Sequence, residues 1–64
     1  MKQYEIVTAD GYRTGFVVKV EKSSDLLNAA RPYLGADRWT IRHHETYSDL
    51  YYDGRIIYSL EWVE

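Results

Sequence analysis

Apolar residues alternate with polar ones along several stretches of the chain, a period that is typical of β-strands with one buried face. Residues 2–9 and 12–20 show this pattern first, and the turn-forming pair Asp10-Gly11 lies between them. An Asp-Gly pair between two alternating stretches is a strong local signal for a hairpin. The first third of the chain is therefore predicted to form two antiparallel strands.

Two loop lengths are compatible with this hairpin. A three-residue loop ending at Gly11 puts that glycine in the left-handed region and pairs Tyr4 with Phe16. A two-residue turn pairs Glu5 with Phe16 instead, which collects the apolar residues less consistently on one face. Gly15, inside the second strand, predicts a bulge or the close approach of another backbone. The register stays open by one residue.

After residue 20 the pattern changes to a polar segment, followed by apolar residues spaced as on one face of a helix. Ser23 or Ser24 is a suitable N-cap. The helix ends just before Pro32, or it is kinked there and continues to Leu34, and Gly35 is the expected stop. A helix this short is stable only when it packs against other elements.

The final stretch, WTIRHHETYSDLYYDGRIIYSLEW (residues 39–62), contains both tryptophans and four of the seven tyrosines. Asp53-Gly54 predicts a second hairpin between residues 50–52 and 55–63. Residues 39–45 predict a strand before it, and residues 47–49 are left open as strand, bulge or turn. The prediction is a single small α+β domain over residues 1–64, β-β-α-β-β, with one helix on a mostly antiparallel four-stranded sheet.

The pattern does not tell which face of the sheet the helix covers. The predicted core consists of the apolar residues that recur on one side of these elements, namely Tyr4, Ile6, Phe16, Val18, Leu26, Ala30, Leu34, Trp39, Ile41, Leu60 and Trp62.

A chain of 64 residues buries only about 60% of the surface that it exposes when unfolded, so its core is small. Domains of this size usually depend on disulfides, a metal or a partner subunit. The chain has no cysteine, which excludes disulfides and thiolate metal sites. We expect its 16% aromatic content to take their place, because each buried aromatic removes roughly 150–250 Å² from water. Homodimer formation stays open as a further source of stability.

The net charge of −2 argues against a strong nucleic-acid binder, since such proteins usually present a basic face. The first residues, MKQYEIV, lack the apolar run of a signal peptide, and no apolar stretch approaches the length that crosses a membrane. A cytoplasmic protein without membrane contact is therefore expected.

His43-His44-Glu45 is the only cluster that resembles metal ligands or acid–base groups. Adjacent residues of a strand point to opposite faces, so His43 and His44 cannot readily bind one ion. His43 and Glu45 share a face, but zinc needs three or four ligands. The serines lack a nucleophile elbow and the glycines lack a phosphate-binding loop. We expect neither an enzyme nor a bound cofactor or metal.

Recognition of a partner protein fits the composition best, because tyrosine, tryptophan and arginine are enriched at interface hot spots. The predicted partner-binding residues lie at the two hairpin tips: Tyr12 and Arg13 at the first, and Tyr51, Tyr52, Asp53 and Arg55 at the second. The alternative is a single-stranded nucleic-acid binder that stacks bases on the same aromatic residues. Nearby carboxylates would oppose phosphates in that case.

The order of a hairpin, the helix KSSDLLNAA, the strand WTIRHHE and the hairpin YYDGRIIY resembles the small α+β inhibitors that bacteriophages encode. These include anti-CRISPR proteins and inhibitors of host RNA polymerase. The resemblance spans nearly the whole chain as architecture and contains no diagnostic motif. It implies a stoichiometric blocker that occupies the working surface of a host enzyme or a CRISPR-type effector complex, and it assigns no catalytic residues.

Overall fold

A computed structural model of the chain describes residues 1–63. Strands β1 (Lys2–Thr8) and β2 (Arg13–Val20) form the first hairpin. A short 3-10 turn (Ser23–Asp25) leads into helix α1 (Leu26–Leu34), and three strands follow: β3 (Trp39–His43), β4 (Tyr47–Tyr52) and β5 (Arg55–Val63). The described strands form one sheet in the order β2-β1-β5-β4-β3, and every neighbouring pair is antiparallel.

The prediction of an α+β domain is confirmed, but the sheet has five strands rather than four. The additional strand is β4. It is separate from β3 because the chain reverses direction at residues 44–46. His44 N–H donates to the carbonyl of Tyr47 at 2.8 Å, and His43 pairs with Ser48 across the new hairpin. The predicted third strand, residues 39–45, therefore ends at His43, and residues 47–49 begin β4.

The first hairpin has the three-residue loop, which is one of the two predicted alternatives, and Gly11 lies in the left-handed region with a φ of 95°. Val7 pairs with Arg13 next to this loop, which is the register that the loop length implies. Farther from the turn the register shifts, so Tyr4 pairs with Val18 and not with Phe16. The bulge predicted at Gly15 is the cause: this glycine has a φ of 80°.

Helix α1 contains Pro32 and continues to Leu34, which is the longer of the two predicted alternatives. Gly35, with a φ of 85°, ends the helix, and its N–H donates to the carbonyl of Arg31 at 2.7 Å. The expected serine N-cap is wrong, because Ser23 and Ser24 form the 3-10 turn and no side chain caps α1. Among the described residues, no helix is long and apolar enough to cross a membrane.

The core lies between α1 and one face of the sheet. The buried residues of this cluster are Tyr4, Ile6, Val18, Val20, Leu26, Ala30, Leu50 and Leu60, and six of them were predicted. Phe16, Leu34, Trp39 and Ile41 are half-buried and pack against the cluster.

Trp62 is the predicted core residue that the structure contradicts. It pairs with the buried Tyr4 and so belongs to the side of the sheet that carries the helix, yet it is 57% exposed. The helix does not cover the end of β5 where it lies.

Candidate functional site

The two Asp-Gly turns lie at the same end of the sheet, here called the turn end. β1 and β4 run toward this end, and β5 leaves it between them. The first turn is tied directly to β5, because Ala9 N–H donates to the carbonyl of Ile57 at 3.1 Å. Both predicted hairpin tips therefore belong to one continuous part of the surface.

A groove of about 570 Å³ opens at the turn end, and we call it the turn-end groove. Its lining comes from the connection between α1 and β3, from β3 itself, from the end of β4 and from the second turn: Asp37, Arg38, Thr40, Tyr52, Asp53 and Gly54. The groove thus combines two carboxylates, one guanidinium, one aromatic ring and turn backbone.

Tyr52, the aromatic residue of the groove, is held in place by Trp39. The ring of Tyr52 packs on Trp39 with the centroids 5.0 Å apart, and the Trp39 indole N–H donates to the carbonyl of Leu34 at 3.3 Å. The connection after the helix is held by Arg31, whose guanidinium donates to the carbonyl oxygens of Gly35 and Asp37 at 3.2 and 2.5 Å. These contacts fix the groove to the end of α1.

The rings beneath the groove continue a line of aromatic contacts along the helix side of the sheet. Ring centroids are 5.1 Å apart for Phe16 and Tyr33, 5.5 Å for Tyr33 and Tyr58, and 5.8 Å for Tyr58 and Trp39. Hydrogen bonding with Tyr33, together with burial, raises the pKa of Tyr58. A position that favours the neutral phenol is consistent with the role of Tyr58 in packing.

Of the two predicted site residues at the first tip, Tyr12 is exposed to solvent and Arg13 is held by contacts within the chain. Tyr12 is 76% exposed. Arg13 is engaged within the chain, because its Nε donates to Glu5 at 2.8 Å and its Nη1 to Glu61 at 3.2 Å. The hydrogen bond with Glu5 is the main reason that the pKa of Arg13 is raised. Arg13 therefore separates two carboxylates that face each other on β1 and β5.

The predicted residues of the second tip divide between the two faces of the sheet. Tyr52 lies on the helix side and lines the groove, and Asp53 occupies the turn with a φ of 55°. Tyr51 points to the face opposite the helix, where the guanidinium carbon of Arg42 lies 6.0 Å from its ring centroid. Arg55 is exposed at the start of β5. Tyr51 lies on the face opposite the helix and does not line the groove.

The face opposite the helix, here called the open face, carries Glu5, Arg42, Asp49, Tyr51 and Glu61. Its carboxylates lie on β1, β5 and β4, the three inner strands of the sheet. Phosphates laid across this face would meet these carboxylates before they reached the edge strands.

The two adjacent histidines have separate partners on opposite faces, as the strand geometry predicts. His43 Nδ1 lies 2.9 Å from the hydroxyl of the buried Ser48. His44 Nε2 lies 2.9 Å from Asp49 Oδ2, and its ring stacks on Tyr47 with the centroids 4.5 Å apart. Within residues 1–63 no group of three or more potential ligands is placed to hold a metal ion.

Sequence reasoning considered Asp37 as an acidic contact for a partner, but it missed Arg38 and Thr40 and did not bring the three residues together with Tyr52. The signal was present, because antiparallel pairing of β3 with β4 brings the start of β3 next to Tyr52. The pairing of β3 with β4 can be inferred from the sequence only when residues 39–43 and 47–52 are recognised as two separate strands.

No family model, curated protein or solved structure matches this chain.

Proposed function

We propose that this chain is a non-catalytic protein-binding module that docks through the turn end of its sheet. The observation that carries the proposal is the turn-end groove, which the second Asp-Gly turn and the end of β4 form with the start of β3 and the connection that follows α1. A partner side chain entering the groove would contact Tyr52, Asp37 and Asp53. The groove also contains Arg38, and tyrosine and arginine are both enriched at interface hot spots.

Exposed residues elsewhere at the turn end extend this surface. Tyr12 presents most of its side chain to solvent, and Arg55 is exposed on the neighbouring part of the turn end. Tyrosine offers a large contact area at a low cost in conformational entropy. These side chains are placed on turns whose backbones are fixed by cross-strand hydrogen bonds, so little ordering is needed on binding.

The mode of action that we propose is stoichiometric inhibition of a host enzyme or CRISPR-type effector complex by occlusion of its working surface. This part of the proposal rests on the architectural resemblance to small phage inhibitors. The measurement is the activity of the captured target titrated with this protein. We expect inhibition to end at a one-to-one ratio, and inhibition that continues to rise far beyond that ratio would contradict tight occlusion.

The docking surface is tested by capture of the tagged chain's partner from host lysate, with nuclease and high-salt washes, followed by affinity measurements on variants. Tyr12→Ala and Arg55→Ala are expected to weaken binding without unfolding the chain. The matched control is Trp62→Ala, which removes another exposed aromatic side chain, at the opposite end of the sheet. Unchanged affinity in both turn-end variants, or an equal loss in the control, would refute the assignment.

The second candidate is a single-stranded nucleic-acid binder, and the contact of Arg42 with Tyr51 on the open face favours it. Stacked bases would lie on that ring, with the guanidinium beside the backbone phosphates. The carboxylates of Glu5, Asp49 and Glu61 on the same face oppose it. A salt titration separates the two functions, because phosphate binding falls linearly in log–log form with salt concentration.

A further inference from the structure

The two edges of the sheet are not equivalent, because only one of them is disrupted. The edge formed by β2 carries the register shift and Gly15, whose N–H donates to the side chain of Glu5 at 3.0 Å. The next amide, that of Phe16, donates to the hydroxyl of Thr14 at 3.1 Å. Bulges of this kind protect an edge against the addition of another strand, since they bend it and occupy its donors.

The edge formed by β3 is regular. Its register with β4 is continuous from Trp39 to His43, and it contains neither glycine nor proline. The hydrogen bond from His44 N–H to Tyr47 fixes which residues of β3 face β4. Because bonded and non-bonded pairs alternate in an antiparallel ladder, Thr40 and Arg42 turn their backbone groups toward β4.

Ile41 and His43 therefore turn their N–H and C=O groups outward, away from the sheet. No hydrogen bond from these backbone groups is formed within residues 1–63. The Trp39 amide is already used, since it donates to the carbonyl of Asp37 at 2.9 Å. An extended segment laid beside β3 could form main-chain hydrogen bonds with Ile41 and with His43, which is the pattern of strand addition.

The side chains along this edge indicate the chemistry of such a segment. From Arg38 to His44 the chain has two arginines and two histidines and no carboxylate. Arg42 lies on the open face, and the half-buried Trp39 and Ile41 lie on the helix side against the core. A strand placed next to β3 would put alternate side chains beside Arg42 and beside the apolar pair.

We propose that β3 is a docking edge for an extended acidic segment of a partner protein, in which carboxylates face Arg42 and apolar residues extend the core beside Trp39 and Ile41. The inference rests on the proposed function as a protein-binding module and names the mode and the chemistry of the contact. A second copy of this chain fits the edge less well, because two β3 strands would bring their arginines into one interface without a carboxylate between them.

The test uses a short fluorescein-labelled peptide in which valine and glutamate alternate, compared with one in which valine and lysine alternate, and the full chain as the receptor. Fluorescence anisotropy measures binding. We expect the glutamate peptide to bind and the lysine peptide not to bind. Hydrogen exchange measured by NMR is expected to show slower exchange of the Ile41 and His43 amides when the glutamate peptide is added.

His43→Pro is the decisive variant. Proline is tolerated on an edge strand at a position whose N–H faces solvent, and because proline has no N–H it cannot donate a hydrogen bond to an added strand. Its matched control, His43→Ala, removes the same side chain and its contact with Ser48 but keeps the amide. We expect the proline variant to bind the peptide about tenfold or more weakly, because one main-chain hydrogen bond is lost and the proline ring keeps the added strand from approaching β3 closely. The alanine variant is expected to bind like the unmodified chain.

Equal binding of both peptides, protection at β2 instead of β3, or full binding by a folded His43→Pro variant would each overturn the inference. A concentration-dependent dimer that His43→Pro abolishes would also overturn it, because the edge would then belong to a second copy. If His43→Pro does not fold, the peptide-induced protection of the two amides in the unmodified chain decides alone. Loss of partner binding in the Tyr12 and Arg55 variants with full binding by His43→Pro would reject this inference and leave the proposed function standing.

Discussion

The two tryptophans provide the sharpest test of the packing, because the structure gives them opposite roles. Trp39 is half-buried, contacts the rings of Tyr52 and Tyr58, and donates its indole N–H to Leu34. Trp62 is 57% exposed. Truncation of Trp39 to alanine should therefore destabilise the chain much more than the same truncation of Trp62.

The magnitude follows from these contacts. Truncation of a buried tryptophan to alanine costs about 3–5 kcal/mol, and the partial burial of Trp39 places it near the lower end, at about 3 kcal/mol. Trp62→Ala should cost about 1 kcal/mol or less, as is usual for exposed positions. A chain of this length has a free energy of unfolding of roughly 3–10 kcal/mol, so Trp39→Ala removes a large part of it.

Urea unfolding followed by far-UV circular dichroism measures the difference without depending on tryptophan fluorescence. With a urea m-value of about 1 kcal/mol/M, Trp39→Ala should lower the midpoint by about 3 M and Trp62→Ala by about 1 M or less. If Trp39→Ala is unfolded in water, Trp39→Phe keeps a ring and loses the indole hydrogen bond, at about 1 kcal/mol for that bond. Equal midpoints for the two alanine variants would show that the assigned packing is wrong.

Three further results are expected. The pKa of Tyr58 is higher in the folded state than in the unfolded chain, where it is about 10. The stability that the neutral phenol contributes is therefore complete below about pH 10 and is lost as the pH rises through the folded pKa. Unfolding midpoints measured from about pH 8 upward should fall less with pH in Tyr58→Phe than in the unmodified chain. Arg13→Ala leaves Glu5 and Glu61 facing each other, and thermal melts at low and high salt should show a lower midpoint that salt partly restores. Leu50→Ala should cost about 2–5 kcal/mol in urea unfolding, because Leu50 is fully buried, and a shift as small as that of an exposed residue would contradict its place in the core.

The turns were predictable from sequence because their signals are local. Each Asp-Gly pair lies in a turn, and Gly11, Asp53 and Gly54 have the positive φ angles that such turns require. The shift of register beyond the first turn was not fully predictable. It depends on Gly15 and on the side chain of Glu5, which reaches its amide from the neighbouring strand.

The fifth strand was missed because the turn between β3 and β4 has no glycine, proline or asparagine. His44, Glu45 and Thr46 are residues that a strand also accepts, so the alternation continues across them. What identifies the turn is the hydrogen bond between His44 and Tyr47, which forms only when the two strands pair.

The periodicity of the sequence did not predict that Trp62 is exposed, because the helix is shorter than strand β5. Alternation placed Trp62 on the correct side of the sheet, opposite Tyr4. A nine-residue helix is about 14 Å long, whereas the nine residues of β5 extend about 30 Å. The helix therefore covers only part of the strand, and which part depends on how the helix crosses the sheet.

The candidate site was predictable in position but not in composition. Two hairpins whose strands lie side by side in one antiparallel sheet can bring their turns to the same end. The separation of Tyr51 from Tyr52 follows from alternation alone, since neighbouring residues of a strand point to opposite faces. The internal engagement of Arg13 required knowledge that Glu61 pairs with Glu5. Long-range pairing is the information that single-sequence patterns lack.

The turn-end groove and the β3 edge are contiguous, and this makes their contributions to binding separable by experiment. Thr40 belongs to β3 and also lines the groove, so a segment added along β3 would continue past Trp39 toward Tyr52. If one partner segment occupies both places, the losses in affinity from His43→Pro and Arg55→Ala should be less than additive when combined. Independent contacts would add within about 0.5 kcal/mol. A double-mutant cycle on the captured partner measures this coupling, and strict additivity would mean that the groove and the edge bind separate parts of the partner.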